Sequence, residues 1–309
     1  MVERLLAKEE VASSNLVFRS KFFLKGVSMS EQKGTLDGKV IIITGGGTGL
    51  GRSMAFRLAE EGADIVVAAR RVQPLEETAA GVRKLGRKAL VVPTDVTDSA
   101  QCNHLIEKTL AEMGKIDVLI NNAGIVRGER PKSLWETSDQ DWHTGIDVNL
   151  TGGFYCSRAV SKYFADRKDG HIILVASGEG FRGQRNSFMY NTAKAGVVNL
   201  TRVMALTLAE YNVRVNCIVP GFVDTFEYQP EEYQKAMAPL RAAGGTRRLF
   251  VPVGHSGKPD DIGYLAVFLC SDASDYVTAG IFISDGGGLA GGYATTGYAP
   301  VVSLKEGLA

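Results

Sequence analysis

From Lys39 onward the chain alternates two kinds of segment, and that alternation restricts the fold more than any single residue. Short apolar runs recur at Val40 to Ile43, Ile65 to Ala68, Ala89 to Val92, Ile116 to Ile120, Ile172 to Ala176, Val213 to Val219 and Gly280 to Ser284. Helix-like stretches lie between them: Leu50 to Glu61, Leu75 to Leu85, Ala100 to Met113, Asp147 to Ala165, Phe188 to Tyr211 and Asp260 to Ser271. Asp98-Ser99 reads as the start of the third of these. A run such as Val40-Ile41-Ile42-Ile43 has no polar alternation, so both faces of that strand must be buried. Strands separated by helices of this length imply right-handed crossovers and a parallel sheet covered on both faces. No internal repeat and no linker marks off a second domain.

Composition bounds the function. A chain of 309 residues with 45% hydrophobic content suits one large α/β domain or two small ones. A net charge of +1 gives no global field to attract nucleic acid or a membrane surface. No apolar run approaches the roughly 18 residues needed to span a bilayer. Cys102, Cys156, Cys217 and Cys270 are far apart and form no Cys-x-x-Cys pair. They read as reduced, buried thiols of a cytoplasmic protein, with no disulfide frame and no metal site. Residues 1–34 differ in pattern from the rest of the chain and read as a disordered extension. They lack the apolar centre of a signal peptide, and Glu3, Glu9 and Glu10 are unlike a transit peptide. Met29 is the alternative natural start, and a targeting role is a further alternative. The remainder divides into one domain over 35–288 and a tail over 289–309 suited to a subunit interface.

Two stretches carry chemistry. Thr44-Gly45-Gly46-Gly47-Thr48-Gly49-Leu50-Gly51 follows the first strand and opens a helix. Glycines there let the chain turn tightly and present N–H groups to a pyrophosphate. The spacing of Gly45, Gly49 and Gly51 is Gly-x-x-x-Gly-x-Gly, which differs from Gly-x-Gly-x-x-Gly. The second stretch runs from Ser177, at the end of an apolar strand, to Tyr190 and Lys194. Tyr and Lys four apart share one helix face. A cation there should lower the phenol pKa, which is about 10 when free. Taken alone, Tyr-x-x-x-Lys is equally well a surface pair.

Together these stretches resemble the short-chain dehydrogenase/reductase family over Gly38 to Gly288. Gly45, Gly49 and Gly51 match its nucleotide fingerprint, with Thr48 and Leu50 inside it. Asp95-Val96 resembles the pair that contacts adenine, and Asn121-Asn122-Ala123-Gly124 its Asn-Asn-Ala-Gly motif. Asn149, Ser177, Tyr190 and Lys194 match its active-site set, with Ser and Tyr 13 apart. Pro220-Gly221 with Val223 and Thr225 matches its segment around the nicotinamide. The resemblance implies a single-domain, doubly wound, seven-stranded Rossmann-like sheet, usually a homotetramer or homodimer. It implies hydride transfer between a nicotinamide and a carbonyl or secondary alcohol. Tyr190 would be the general acid or base, Ser177 would hold the substrate oxygen, and Lys194 would lower the Tyr pKa and bind ribose. Asn149 would order a water that links Lys194 to solvent.

After the second strand the chain reads Ala68-Ala69-Arg70-Arg71. No acid waits there for the ribose hydroxyls of NAD, and Asp64 comes too early. Arg70 is placed for the 2′-phosphate of NADP, so NADP(H) is preferred and NAD(H) is the alternative. Thr48 argues slightly the other way, since many NADP users of the family carry a basic residue there. Substrate choice falls to Ile125 to Trp142, Gly178 to Met189 and the insert Phe222 to Pro259, the last reading as a mobile lid. Glu179, Arg182, Arg185, Arg241, Arg247 and Arg248 in these loops are either solvated or face an anionic substrate. The substrate class resembles that of 3-oxoacyl-carrier-protein reductases and relatives acting on sugars or alcohols. An enoyl- or dienoyl-thioester reductase is a second reading, and a non-catalytic cofactor-binding regulator a third.

Overall fold

The computed structural model of the chain describes residues 34–125, 133–229 and 251–290, with five further positions between 231 and 238. The expected N-terminal extension up to Lys33 and the tail beyond Ala290 lie outside the described residues, as does part of the expected lid, chiefly residues 239–250. Seven parallel strands form one sheet in the order β3-β2-β1-β4-β5-β6-β7. They are β1 (Val40–Thr44), β2 (Asp64–Ala69), β3 (Ala89–Pro93), β4 (Val118–Asn121), β5 (Gly170–Val175), β6 (Val213–Pro220) and β7 (Ile281–Ser284). Each apolar run of the sequence therefore becomes a strand.

The side chains of β1 show why. Val40 and Ile42 enter a core beneath α3 (Ser99–Met113), α5 (Gly152–Arg167) and α6 (Phe188–Leu208). Ile41 and Ile43 enter the opposite core, beneath α1 (Gly49–Glu60), α2 (Val72–Lys84) and α7 (Pro259–Cys270). All four are at most 3% exposed. Burying each such side chain stabilises the fold by about 1.5–3 kcal/mol, which commits the strand to the middle of the sandwich. All four cysteines are buried and free.

Helix α3 starts as its sequence predicts. Asp98 accepts from the N–H groups of Ala100 and Gln101, and Gly114 closes the helix at φ 79°. The helix before β5 differs from expectation. It does not begin at Asp147. It begins with α4 (Asp139–Ile146), where Ser138 and Asp141 cap each other's backbone. It then passes through a π-helical turn at Asp147–Thr151 and continues as α5. Asp147, an acid ahead of an apolar stretch, imitates a helix start. The Ser-x-x-Asp box nine residues earlier marks the true one. Part of the expected loop Ile125 to Trp142 is consequently helical.

The strand order reverses between β1 and β4. Crossovers from β1 run outward to β2 and β3, and those from β4 run to β5, β6 and β7. A crevice opens at the carboxyl ends of the two strands, the usual ligand position in such sheets. Gly51 lets α1 pack close to this point. A Cβ at Gly51 would lie 2.2 Å from the Gly45 carbonyl oxygen, a backbone atom that cannot swing aside. Gly51→Ala should therefore lower stability by about 1–3 kcal/mol, the usual cost of overpacking. Urea midpoints of the two proteins measure this, and equal midpoints would mean the turn relaxes freely.

Candidate active site

The crevice has a volume of about 1190 Å³. The glycine turn forms one end. Gly45 and Gly49 adopt φ of +66° and +54°, a region that side chains with a Cβ avoid. A Cβ built at Gly49 would meet only ordinary van der Waals neighbours, Gln229 Nε2 at 3.6 Å being the nearest. Thr48 is the N-cap of α1, yet its side chain makes no capping bond, and the first turn holds no acid. The partial positive charge and N–H groups of the helix start thus face the crevice without a side-chain partner. This is a fit for the pyrophosphate of a dinucleotide.

Hydrogen bonds tie this turn to β4. Thr44 Oγ1 accepts from the N–H groups of Asn122 and Ala123, both at 3.0 Å. Asn122 Nδ2 donates back to the carbonyl oxygens of Thr44 and Gly45, at 3.0 and 3.3 Å. Asn121 Nδ2 donates to Ser157 Oγ at 2.9 Å and fixes α5 to the same strand end. Beyond the turn, Arg70 and Arg71 follow β2 and line the crevice, as do Asp95 and Val96 after β3. Both arginines are exposed. Asp64 is held at the far end of β2 by Arg87, 3.0 Å away. Pro220, Gly221, Val223 and Thr225 form the opposite wall. Of the positions expected at the cofactor, Gly51 alone does not line the crevice, because it packs beneath the turn.

The other end of the crevice gathers Ser177, Tyr190, Lys194 and Asn149. Ser177 follows β5 directly and its Oγ accepts from the Glu179 N–H at 3.2 Å. Tyr190 and Lys194 stand on one face of α6, with Lys194 Nζ 5.7 Å from the Tyr190 ring centre. Lys194 is buried and donates to the Val175 carbonyl at 2.9 Å. Asn149 sits on the π-helical turn, a local irregularity common at functional sites. Its Nδ2 donates to the carbonyls of Gly145 (2.9 Å) and Ile125 (3.1 Å), and its Oδ1 accepts from the Ile125 N–H at 3.1 Å. Gly124 separates Asn149 from Lys194. A Cβ there would lie 2.9 Å from Asn149 Oδ1 and 3.5 Å from Lys194 Nζ.

The electrostatics differ from the sequence expectation in one respect. Burial pushes the Tyr190 pKa above its ordinary value, against the lowering effect of a hydrogen bond with Ser177, and Glu179 pushes it up further. Burial also brings Lys194 down to about 8. Within the protein alone, desolvation dominates at both groups, so the phenol stays protonated at neutral pH. Sequence reasoning singled out Glu179 and Arg182 only as loop charges and passed over Asn191. The structure joins all three beside Tyr190. Nothing in the spacing of an Asn after a Tyr signals this.

Residues 39–236 match the family described as short chain dehydrogenase. The 2-dehydro-3-deoxy-D-gluconate 5-dehydrogenase of Dickeya dadantii is 39% identical over 261 residues, which are 82% of this chain and 97% of that protein. The 3-oxoacyl-acyl-carrier-protein reductase of Thermotoga maritima is 34% identical over 254 residues, 82% of this chain and 98% of that one. The crystal structure of levodione reductase superposes with a TM-score of 0.74 at 32% identity, covering 82% of this chain and 99% of that one. The structure of NAD+-bound xylitol dehydrogenase gives a TM-score of 0.71 at 30% identity, with 82% and 99% covered. The match over this length places the chain in the short-chain dehydrogenase family of oxidoreductases.

Proposed function

We propose that this oxidoreductase prefers NADP(H) and interconverts a carbonyl and a secondary alcohol on a small molecule, with Tyr190 exchanging the proton. The observation that carries this reading is the convergence of Ser177, Tyr190 and Lys194 at one end of the crevice. A bound nicotinamide supplies the hydride in reduction and takes it up in oxidation. Negative charge then develops on the carbonyl oxygen, and a positioned O–H donor stabilises it. The Tyr190 hydroxyl, protonated at neutral pH, gives its proton to that oxygen. The phenolic O–H bond breaks as the alcohol O–H bond forms. Ser177 accepts from the Glu179 N–H, so its own proton is available for the same oxygen. In its charged form Lys194 favours the phenolate left behind. Asn149 holds the Ile125 backbone beside Lys194, which supports a positioning role for it. Ser177 and Tyr190 acting together favour carbonyl chemistry over reduction of an enoyl or dienoyl thioester.

The preference for NADP rests on Arg70 and Arg71. They line the crevice after β2, where no acid stands, and among the described residues neither forms an ion pair. A guanidinium suits a 2′-phosphate. The activities for which these relatives are named suggest oxo acids, 3-oxoacyl thioesters and cyclic ketones as candidate substrates.

Turnover is tested by NADPH oxidation against a panel of these three substrate classes. Tyr190→Phe should lower kcat by roughly 10²–10⁴-fold while NADPH binding, read by fluorescence, stays near wild type. Retention of more than about a tenth of kcat would remove Tyr190 from the acid role. Wild-type enzyme should favour NADPH over NADH by about 10- to 150-fold in kcat/KM, as expected of a charge-assisted pair. Arg70→Ala should erase most of that ratio, and a ratio near unity in the wild type would point to NAD instead.

Lys194 makes a third expectation. Folding lowers its pKa from 10.5 to about 8, so across that range the unfolded chain holds a proton that the folded one has released. Stability contributed at this site therefore rises with pH between those values, by on the order of 3 kcal/mol in total. Urea midpoints of the cofactor-free protein from pH 8 to pH 10 should show this rise relative to Lys194→Met, which lacks the group. Parallel curves for the two proteins would show that Lys194 titrates normally.

A further inference from the structure

The turn that carries Ser177 is tethered to the start of α6 by one carboxylate. Glu179 Oε1 accepts from Arg182 Nη2 at 2.6 Å, and Glu179 Oε2 accepts from Asn191 Nδ2 at 3.2 Å. Asn191 Nδ2 also donates to the Arg182 carbonyl at 2.7 Å. Glu179 and Arg182 are partly buried, their side chains 15% and 22% exposed. A pair in that setting is screened less than a surface pair. The tether has a partner contact one turn along the helix. A Cβ at Gly180 would lie 2.8 Å from the backbone carbon and oxygen of Lys194, so the turn rests directly on α6. Between these two contacts the Glu179 N–H bonds Ser177 Oγ, and the Gly180 N–H bonds the Ser177 carbonyl at 2.9 Å. Asn191 is the residue after Tyr190. Glu179 thus links the hydroxyl of Ser177 to the backbone that carries Tyr190.

We propose that Glu179 is a positioning residue, whose carboxylate, clamped by Arg182 and Asn191, sets the distance between the Ser177 and Tyr190 hydroxyls. This rests on the roles proposed above for Ser177 and Tyr190. The purpose of such a clamp follows from geometry. Ser177 stands on a turn after a strand and Tyr190 on a helix 13 residues later. Residues 183–186 between them are exposed, so the connecting segment itself constrains the pair weakly. Two donors that must meet one oxygen need that separation held to a fraction of an ångström. Glu179 lines the crevice, but its two oxygens are already engaged by Arg182 and Asn191, which sets it apart from a substrate ligand.

Two measurements on the full chain test the clamp. Hydrogen exchange of a peptide spanning residues 177–187, read by mass spectrometry without substrate, reports the tether itself. Glu179→Ala and Asn191→Ala should each speed exchange there, and Glu179→Gln, which keeps an acceptor for Asn191, should restore most of the protection. Turnover with NADPH and the panel substrate reduced fastest reports positioning. Glu179→Ala should lower kcat by about 10- to 100-fold, the scale on which an ångström of misplacement acts, with NADPH affinity within about twofold of wild type. Glu179→Gln should recover most of that loss. The Glu179→Ala/Asn191→Ala double variant should lose about as much as Glu179→Ala alone, because partners in one network are non-additive. Unchanged exchange in Glu179→Ala overturns the proposal. So does faster exchange with unchanged kcat, a kcat loss that tracks NADPH affinity, or additive losses in the double variant. The parent reading fails by a different sign: Tyr190→Phe keeps its turnover, which would end the roles of Ser177 and its clamp together.

Discussion

The site depends on a short set of hydrogen bonds between Thr44 and Asn122. Thr44 ends β1 and Asn122 directly follows β4, the two strands between which the sheet reverses its order. Backbone groups at strand ends have left the ladder and need other partners, since a buried, unpaired amide costs free energy. Thr44 Oγ1 takes two of the N–H groups leaving β4, and the Asn122 amide takes two of the carbonyls leaving β1. The exchange fixes where the glycine turn lies relative to the Asn-Asn-Ala-Gly turn. It therefore fixes the glycine-turn end of the crevice relative to Gly124, which lies between Asn149 and Lys194. Without this cross-tie the two halves of the sheet would still form, but each half of the crevice would be positioned by its own loop.

At the opposite end the organising constraint is desolvation. Lys194 donates to the Val175 carbonyl, and its burial brings its pKa down to about 8. Tyr190 is displaced in the direction of the neutral phenol, and Glu179 contributes to that displacement. Both groups thus tend toward their uncharged forms in the protein alone. On the reading proposed for Tyr190, a phenol protonated at rest beside an amine with a pKa of about 8 passes a proton in either direction. The Ser177 turn completes the arrangement, because its position is set by Glu179 and Asn191 as well as by β5.

Much of this was legible in the residues. The β-branched runs specified the strands, since a run buried on both faces has few alternatives, and the cap at Asp98 specified the start of α3. The glycine turn and the Ser177, Tyr190 and Lys194 set were readable because each marks a local backbone or helix-face requirement, whereas Asn149 was legible only through the family resemblance. What misled was equally local. Asp147 has the look of a helix start, but the helix began earlier at the Ser138–Asp141 box and crossed Asp147 through a π-helical turn. A single sequence cannot rank two competing caps when the choice depends on what packs against the intervening turn.

The sequence by itself determined the element order and the parallel sheet, which follow from periodicity and backbone freedom, properties of neighbours along the chain. Most of the crevice residues were legible through the resemblance of their motifs to the family. Only the tertiary structure decided the electrostatics of Tyr190 and Lys194, because burial is set by the whole sandwich and here it outweighs the helical spacing of the pair. It likewise decided that Glu179, Arg182 and Asn191 form one network. Loop charges become partners only when packing removes the water that would otherwise solvate each of them separately.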